Sequence, residues 1–139
     1  MSPAFVRRRQ PRRDGASVVE VAFTLPIFIL MSVGMLEFGR GFMVQQMVTN
    51  AAREGARQAV LAGATNETVT ARVEDLLAAG RIDPGVVRVQ YNPANVANAK
   101  SGDQVRVRVW VNYADVAWMP GAWYMGNTDL ASETVMRRE

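Results

Sequence analysis

The chain has 139 residues and contains neither cysteine nor histidine. Disulfide bonds, thiolate nucleophiles, ordinary zinc sites and imidazole general bases are therefore excluded, and we expect no enzyme activity, no bound metal and no cofactor. Residues 1–15 hold five of the 16 basic and one of the 13 acidic side chains, so 11 basic and 12 acidic side chains remain elsewhere. The rest of the chain is therefore slightly acidic, whereas a nucleic-acid-binding face carries an excess of basic residues, and we expect no such face.

The first element is this basic N-terminus, "RRRQPRR" (7–13). An arm that grips DNA is one interpretation of such a run. The other is a membrane flank, because arginines beside an apolar segment hold that end of the chain in the cytoplasm. We favour the membrane flank, since an apolar segment follows directly.

That apolar segment carries no charge from Val21 to Leu36, and Glu37 ends it. Counted from Ala16, 21 residues make a helix of about 31 Å, which matches a hydrocarbon core of roughly 30 Å. We therefore predict a transmembrane helix over residues 16–37, with the remainder of the chain outside the cytoplasm. Glu37 and Arg40 are expected to pair at the far interface, where Arg40 can snorkel.

Two alternatives stay open for the same segment. One is a buried helix of a soluble protein, although the charge-free run is long for so small a chain. The other is a secretory signal peptide cut near "SVG" (Ser32–Gly34), a weak match to a small-x-small cleavage site. The second alternative predicts a free product without the apolar segment.

Glu20 is a carboxylate near the start of the span. If the chain is cut after Gly15, the new ammonium of Ala16 lies one helical turn from Glu20. The carboxylate also suits the positive end of the helix dipole. In an assembly of parallel helices, Glu20 of one chain can accept the ammonium of its neighbour, and this pairing sets the register.

Pro26 lies inside the span and removes one backbone hydrogen bond, so a kink or local unwinding is expected. Beyond the membrane, apolar or small pairs recur every four residues from Met43 to Val60, which predicts a helical stalk over residues 38–63. The side chains in the last part of this stalk are small enough for another element to approach the helix backbone closely. The small residues are Ala51, Ala52, Gly55, Ala56 and Ala59.

Residues 64–139 predict a small α+β head. A second, short helix starts at Thr65 or Asn66, turns Val69, Val73, Leu76 and Leu77 inward and ends at Gly80. Alternation of apolar and polar residues predicts strands at Val86–Tyr91 and Gln104–Tyr113, and a third at Leu130–Met136. We expect a three-stranded antiparallel sheet whose marginal core leans on the first helix or on a partner.

The segment Val116–Gly126 is rich in aromatic residues and methionine. Such a composition is enriched at protein interfaces, which makes Trp118, Trp123 and Tyr124 candidates for a partner contact. Packing within the fold of the chain is the interpretation we favour, and a position at the lipid surface is a third.

Several of these motifs together resemble the TadE-type minor pilins, or pseudopilins, of the tight-adherence (Tad/Flp) type IV pilus system. The resemblance rests on "GASVVE" behind the basic run, Pro26 in "TLP", "EFGR" (37–40), "TNAAREGAR" (49–57) and the terminal "LASETVMRRE". It implies a pilin-like fold and a leader, residues 1–15, that prepilin peptidase removes between Gly15 and Ala16. Gly15 would be the recognition residue and Glu20 the assembly residue.

The resemblance also implies partners and a location. The partners are prepilin peptidase, other Tad minor pilins, the major pilin, the inner-membrane assembly platform and membrane lipid. The chain is expected in the bacterial inner membrane as a single-pass protein with a periplasmic head, or in the assembled pilus, where it serves pilus assembly and adhesion. The alternative is an uncleaved, permanently anchored periplasmic scaffold or binding protein.

Overall fold

The fold is α+β, as predicted from the sequence. A computed structural model describes residues 14–119 and 126–139. It has a long N-terminal helix, a short second helix and three strands, with single 3₁₀ turns between them. The elements are α1 (Asp14–Ala59), α2 (Asn66–Ala79), β1 (Arg88–Asn92), β2 (Gln104–Asn112) and β3 (Asp129–Arg137), and the 3₁₀ turns are Pro84–Val86, Val96–Asn98 and Tyr113–Asp115.

The chain divides into two compact units, one that ends at Met35 and one that runs from Leu36 to Glu139. In the first unit, the side chains from Gly15 to Met31 are all exposed. The apolar window of α1 has a mean hydropathy of 2.1, and none of it is buried. The helix continues through Pro26. By length and composition this segment can cross a membrane.

The head unit is built on a sheet in the order β1-β2-β3, with both pairs antiparallel. The central strand alternates as predicted. Val105, Val107, Val109 and Val111 are fully buried on one face, while arginines, Trp110 and Asn112 occupy the other. Because β2 has a neighbour on both sides, its valines form the middle of the core.

The first strand begins later than predicted. Pro84–Val86 forms a 3₁₀ turn, and the Asp83 side chain accepts a hydrogen bond from the Gly85 amide at its start. Proline fixes a φ that suits the first position of such a turn. The strand therefore runs over Arg88–Asn92 instead of beginning at residue 86.

The second helix has the predicted start, inner face and end. Thr65 caps its N-terminus through a reciprocal pair of hydrogen bonds with Thr68. The Thr65 side chain, followed by the backbone amide of Glu67, lowers the pKa of the exposed Glu67 carboxyl. The helix buries Val69, Val73 and Leu77 and keeps Leu76 half-buried, and Gly80 is its C-cap.

Asn66 does not cap the helix but fastens the β1–β2 connection to it. Its amide donates to the Ala94 carbonyl at 2.8 Å, and its side-chain oxygen accepts from the Val96 amide at 2.9 Å. The Tyr91 hydroxyl donates to the Asn66 backbone carbonyl. Burial raises the pKa of the Tyr91 hydroxyl.

The helix α1 supplies one wall of the head core. Its five small residues are all buried: Ala51, Ala52, Gly55, Ala56 and Ala59. A Cβ atom on Gly55 would lie 2.8 Å from Val73 Cγ2 and 3.5 Å from Val107 Cγ1. The small residues thus bring α1 close to α2 and β2, and the expectation that the head leans on the first helix is confirmed. The predicted stalk and head lie in one compact unit.

We predict that Gly55→Ala lowers the free energy of unfolding by about 1–3 kcal/mol, because the added methyl group overpacks a rigid valine contact. The measurement is urea unfolding in detergent micelles, followed by tryptophan fluorescence. Gly39→Ala is the matched control, since a Cβ there meets nothing within 4 Å; it should leave stability unchanged or raise it by up to about 1 kcal/mol. Equal stability of the two variants would contradict the close approach.

Candidate functional site

The cleavage junction predicted from the sequence lies at the start of α1. Gly15, Ala16 and Glu20 are exposed, and a Cβ on Gly15 meets nothing within 4 Å. Ala16 and Glu20 are four residues apart in the helix, so they share one face and are separated by one turn. The basic run at residues 7–13 lies outside the described residues.

Glu20 is surrounded by exposed apolar side chains of the same helix, among them Val18, Val19 and Val21. Within residues 14–119 and 126–139, no side chain forms a hydrogen bond or an ion pair with it. A carboxylate at the edge of an apolar surface is costly unless a charge or a hydrogen-bond donor meets it. Glu20 is thus an exposed carboxylate on an apolar stretch of α1.

A second polar group lies in the head, around Glu37. The side chain of Glu37 is only 3% exposed. Its Oε1 accepts hydrogen bonds from the Tyr113 hydroxyl and from the Trp118 amide, both at 3.1 Å. The Tyr113 hydroxyl also lies 3.1 Å from the Glu37 backbone carbonyl. Glu37 therefore fixes the segment that follows β2 against α1.

Arg40 strengthens the same attachment. It is also buried, its Nε donates to the Val116 carbonyl at 3.3 Å, and its guanidinium lies 5.6 Å from the centroid of the Trp118 ring. The expected pairing of Glu37 with Arg40 at the lipid interface is therefore replaced by separate partners for each in the head. Arg40 does not snorkel, because the head covers it.

The aromatic segment is partly described. Trp118 is 64% exposed and its ring lies against the Arg40 guanidinium, while Val116 at the start of the segment is buried; the role of the segment stays a prediction. Trp123 and Tyr124 lie outside the described residues. The role of Glu37 was missed by sequence reasoning. Tyr113 carried a usable signal, because it ends the inward-facing series of β2 and a buried phenol needs a polar partner.

Residues 15–57 match the family model described as TadE-like protein. This part of the chain is TadE-like. The match begins at Gly15 and includes Ala16, Glu20 and Pro26, so the resemblance drawn from the motifs is confirmed. The matched residues make up about a third of the chain and lie within α1. No curated protein and no solved structure matches the chain.

We predict that Glu37→Ala lowers the free energy of unfolding of the head by about 1–3 kcal/mol, because it leaves the Trp118 amide without its acceptor and removes one acceptor from the buried Tyr113 hydroxyl. Urea unfolding in micelles measures the change. Glu54→Ala is the control, since Glu54 and Arg72 form an exposed pair at 3.3 Å, and its loss should cost below about 1 kcal/mol. A Glu37 variant as stable as the control would refute the role of the cluster.

Proposed function

We propose that the chain is a TadE-like minor pilin, or pseudopilin, that prepilin peptidase trims and that then takes part in assembling Tad/Flp type IV pili. One observation carries the proposal. The TadE-like match starts at Gly15, the residue before the cleavage point inferred from the sequence, and extends over the exposed apolar part of α1.

The arginine block supports an orientation with the N-terminus in the cytoplasm and the head in the periplasm. The Gly15–Ala16 bond then lies at the cytoplasmic edge of the apolar segment, within reach of an inner-membrane peptidase. After the cut, residues 16–36 remain as the anchor. The head stays attached to it through the continuous helix α1.

Assembly follows from the charge that the cut creates. The ammonium of Ala16 on one chain meets the Glu20 carboxylate of a neighbouring pilin, and each charge is neutralised where the surroundings are apolar. An isolated chain leaves Glu20 without such a partner. The partners in this model are other Tad minor pilins, the major pilin and the inner-membrane assembly platform, and the resulting pilus serves adhesion to surfaces.

Processing is tested with Gly15→Ala. Because a Cβ at this position meets nothing within 4 Å, the substitution leaves the helix intact and changes only what the peptidase recognises. We expect the variant to keep residues 1–15 in cells where the wild-type chain loses them, which an electrophoretic shift and the intact mass detect. Gly39→Ala is the control and should be processed normally. Wild-type chain that stays full-length would favour an uncleaved, anchored scaffold.

Assembly is tested with Glu20→Ala in the native host. We expect normal leader removal, loss of co-purification with the other pilins and reduced piliation, because the ammonium of the neighbouring chain has no acceptor. Thr24→Ala, which removes a polar side chain from the same exposed segment, should behave as wild type. Unaltered co-purification and piliation in the Glu20 variant would contradict the assembly mechanism while leaving processing untouched.

A further inference from the structure

Large apolar side chains stay exposed at the start of the head unit, although the head has a closed core elsewhere. They come from two parts of the chain. One is the stretch of α1 that begins at Leu36, and the other is the segment after β2. We call them the apolar collar, and each is between 39% and 64% exposed. The collar consists of Leu36, Phe38, Phe42, Met43, Trp118 and Met119.

The collar continues on both sides of the contact between α1 and the head. On one side, Phe38 and Phe42 pack edge to face with ring centroids 5.0 Å apart. With Gly41, Gln45 and Leu130 they line an apolar groove of about 150 Å³. On the other side, Met43 and Trp118 line a cleft that also contains the exposed charged residues Arg81, Asp83 and Asp115. The exposed surface is therefore apolar on the Phe38 side of the helix and mixed with charge on the Met43 side.

The charges that α1 itself carries at this level are hidden. Between Val21 and Ala52 the only ionisable residues are Glu37 and Arg40, and both are buried in the head. The exposed surface of α1 thus carries no charge from Val21 until Arg53. If membrane contact ended at Glu37, this carboxylate could remain exposed to water. It is buried instead, and Phe38 and Phe42, which follow it along the helix, are exposed.

The first turn of this surface fits the bilayer interface. Phe38 lies two residues beyond Leu36, or about 3 Å along the helix, and Phe42 lies six residues beyond it, or about 9 Å. A bilayer of about 40–45 Å with a hydrocarbon core of about 30 Å leaves roughly 5–7 Å of headgroup layer on each side. Aromatic side chains, tryptophan above all, are enriched in that layer. The collar has the composition that this layer favours, with Phe38 inside the layer and Phe42 just past its outer edge.

We propose that the apolar collar is a lipid-binding surface that seats the head in the outer headgroup layer of the membrane. Phospholipid covers Phe38, Phe42 and Trp118, and the groove beside Leu130 receives part of an acyl chain. The head in turn shields Glu37 and Arg40 from lipid. The proposal rests on membrane anchoring by α1, but not on removal of the leader.

The chain has no cysteine of its own, so a single introduced cysteine is the only site that a thiol-reactive fluorophore labels. Phe42→Cys and Trp118→Cys carry an environment-sensitive fluorophore in the otherwise unchanged full chain. Both positions are exposed, so the substitutions leave the core intact. The protein is reconstituted alone and dilute into phosphatidylcholine vesicles, with and without phosphatidylcholine brominated near the top of its acyl chains.

Two control positions lie outside the collar. Asn50→Cys is exposed farther along α1, and Val135→Cys replaces an exposed apolar residue of β3. Phe28→Cys reports whether the span is inserted. We expect brominated lipid to quench labels at positions 28, 42 and 118 several-fold more than labels at positions 50 and 135.

Quenching at position 28 combined with values at 42 and 118 no greater than at position 135 would overturn the proposal and leave anchoring intact. A label at position 42 that becomes shielded from an aqueous quencher only when other pilins are added would likewise overturn it, in favour of a protein contact. Absence of quenching at position 28 would overturn the anchoring itself, and the proposal with it.

Discussion

The close approach of α1 to α2 and β2 is the constraint on which the head depends. One face of a three-stranded sheet and one 14-residue helix can bury only a small apolar area between them. The chain also has no cysteine, so no disulfide bond can stabilise the head. Burial of apolar surface has to come from the first helix. Gly55 makes this possible, because it lets the helix backbone reach Val73 and Val107 within van der Waals contact.

This dependence divides α1 between two tasks. From Glu37 to Ala59 its inward face belongs to the core of the head, and Glu37 and Arg40 attach the segment after β2 to the same helix. From Val21 to Leu36 the helix carries no charge, and nearly all of its side chains are exposed. A subunit built in this way cannot release its head from the helix without losing its core, so movement of the helix in an assembly carries the head with it.

Much of this fold could be predicted from the sequence because its signals are local. Alternation along β2 and the Thr65 cap depend on neighbouring residues alone. The small residues around Gly55 indicate a close contact of the helix but not which element lies against it. The partners of Glu37 are 76 and 81 residues away in sequence, so no local pattern indicates them. The contact of Trp118 with Arg40 is equally distant in sequence, because a turn of α1 provides it.

The proposed pilin mechanism requires a mature protein that begins at Ala16. The most direct measurement is the N-terminal residue and the intact mass of the wild-type chain purified from its native membranes. We expect a chain that starts at Ala16 and lacks residues 1–15, with its whole apolar segment retained. A chain that still carries Arg7–Arg13 would contradict it and identify a permanently anchored protein, and a product cut near Gly34 would contradict the membrane anchor as well.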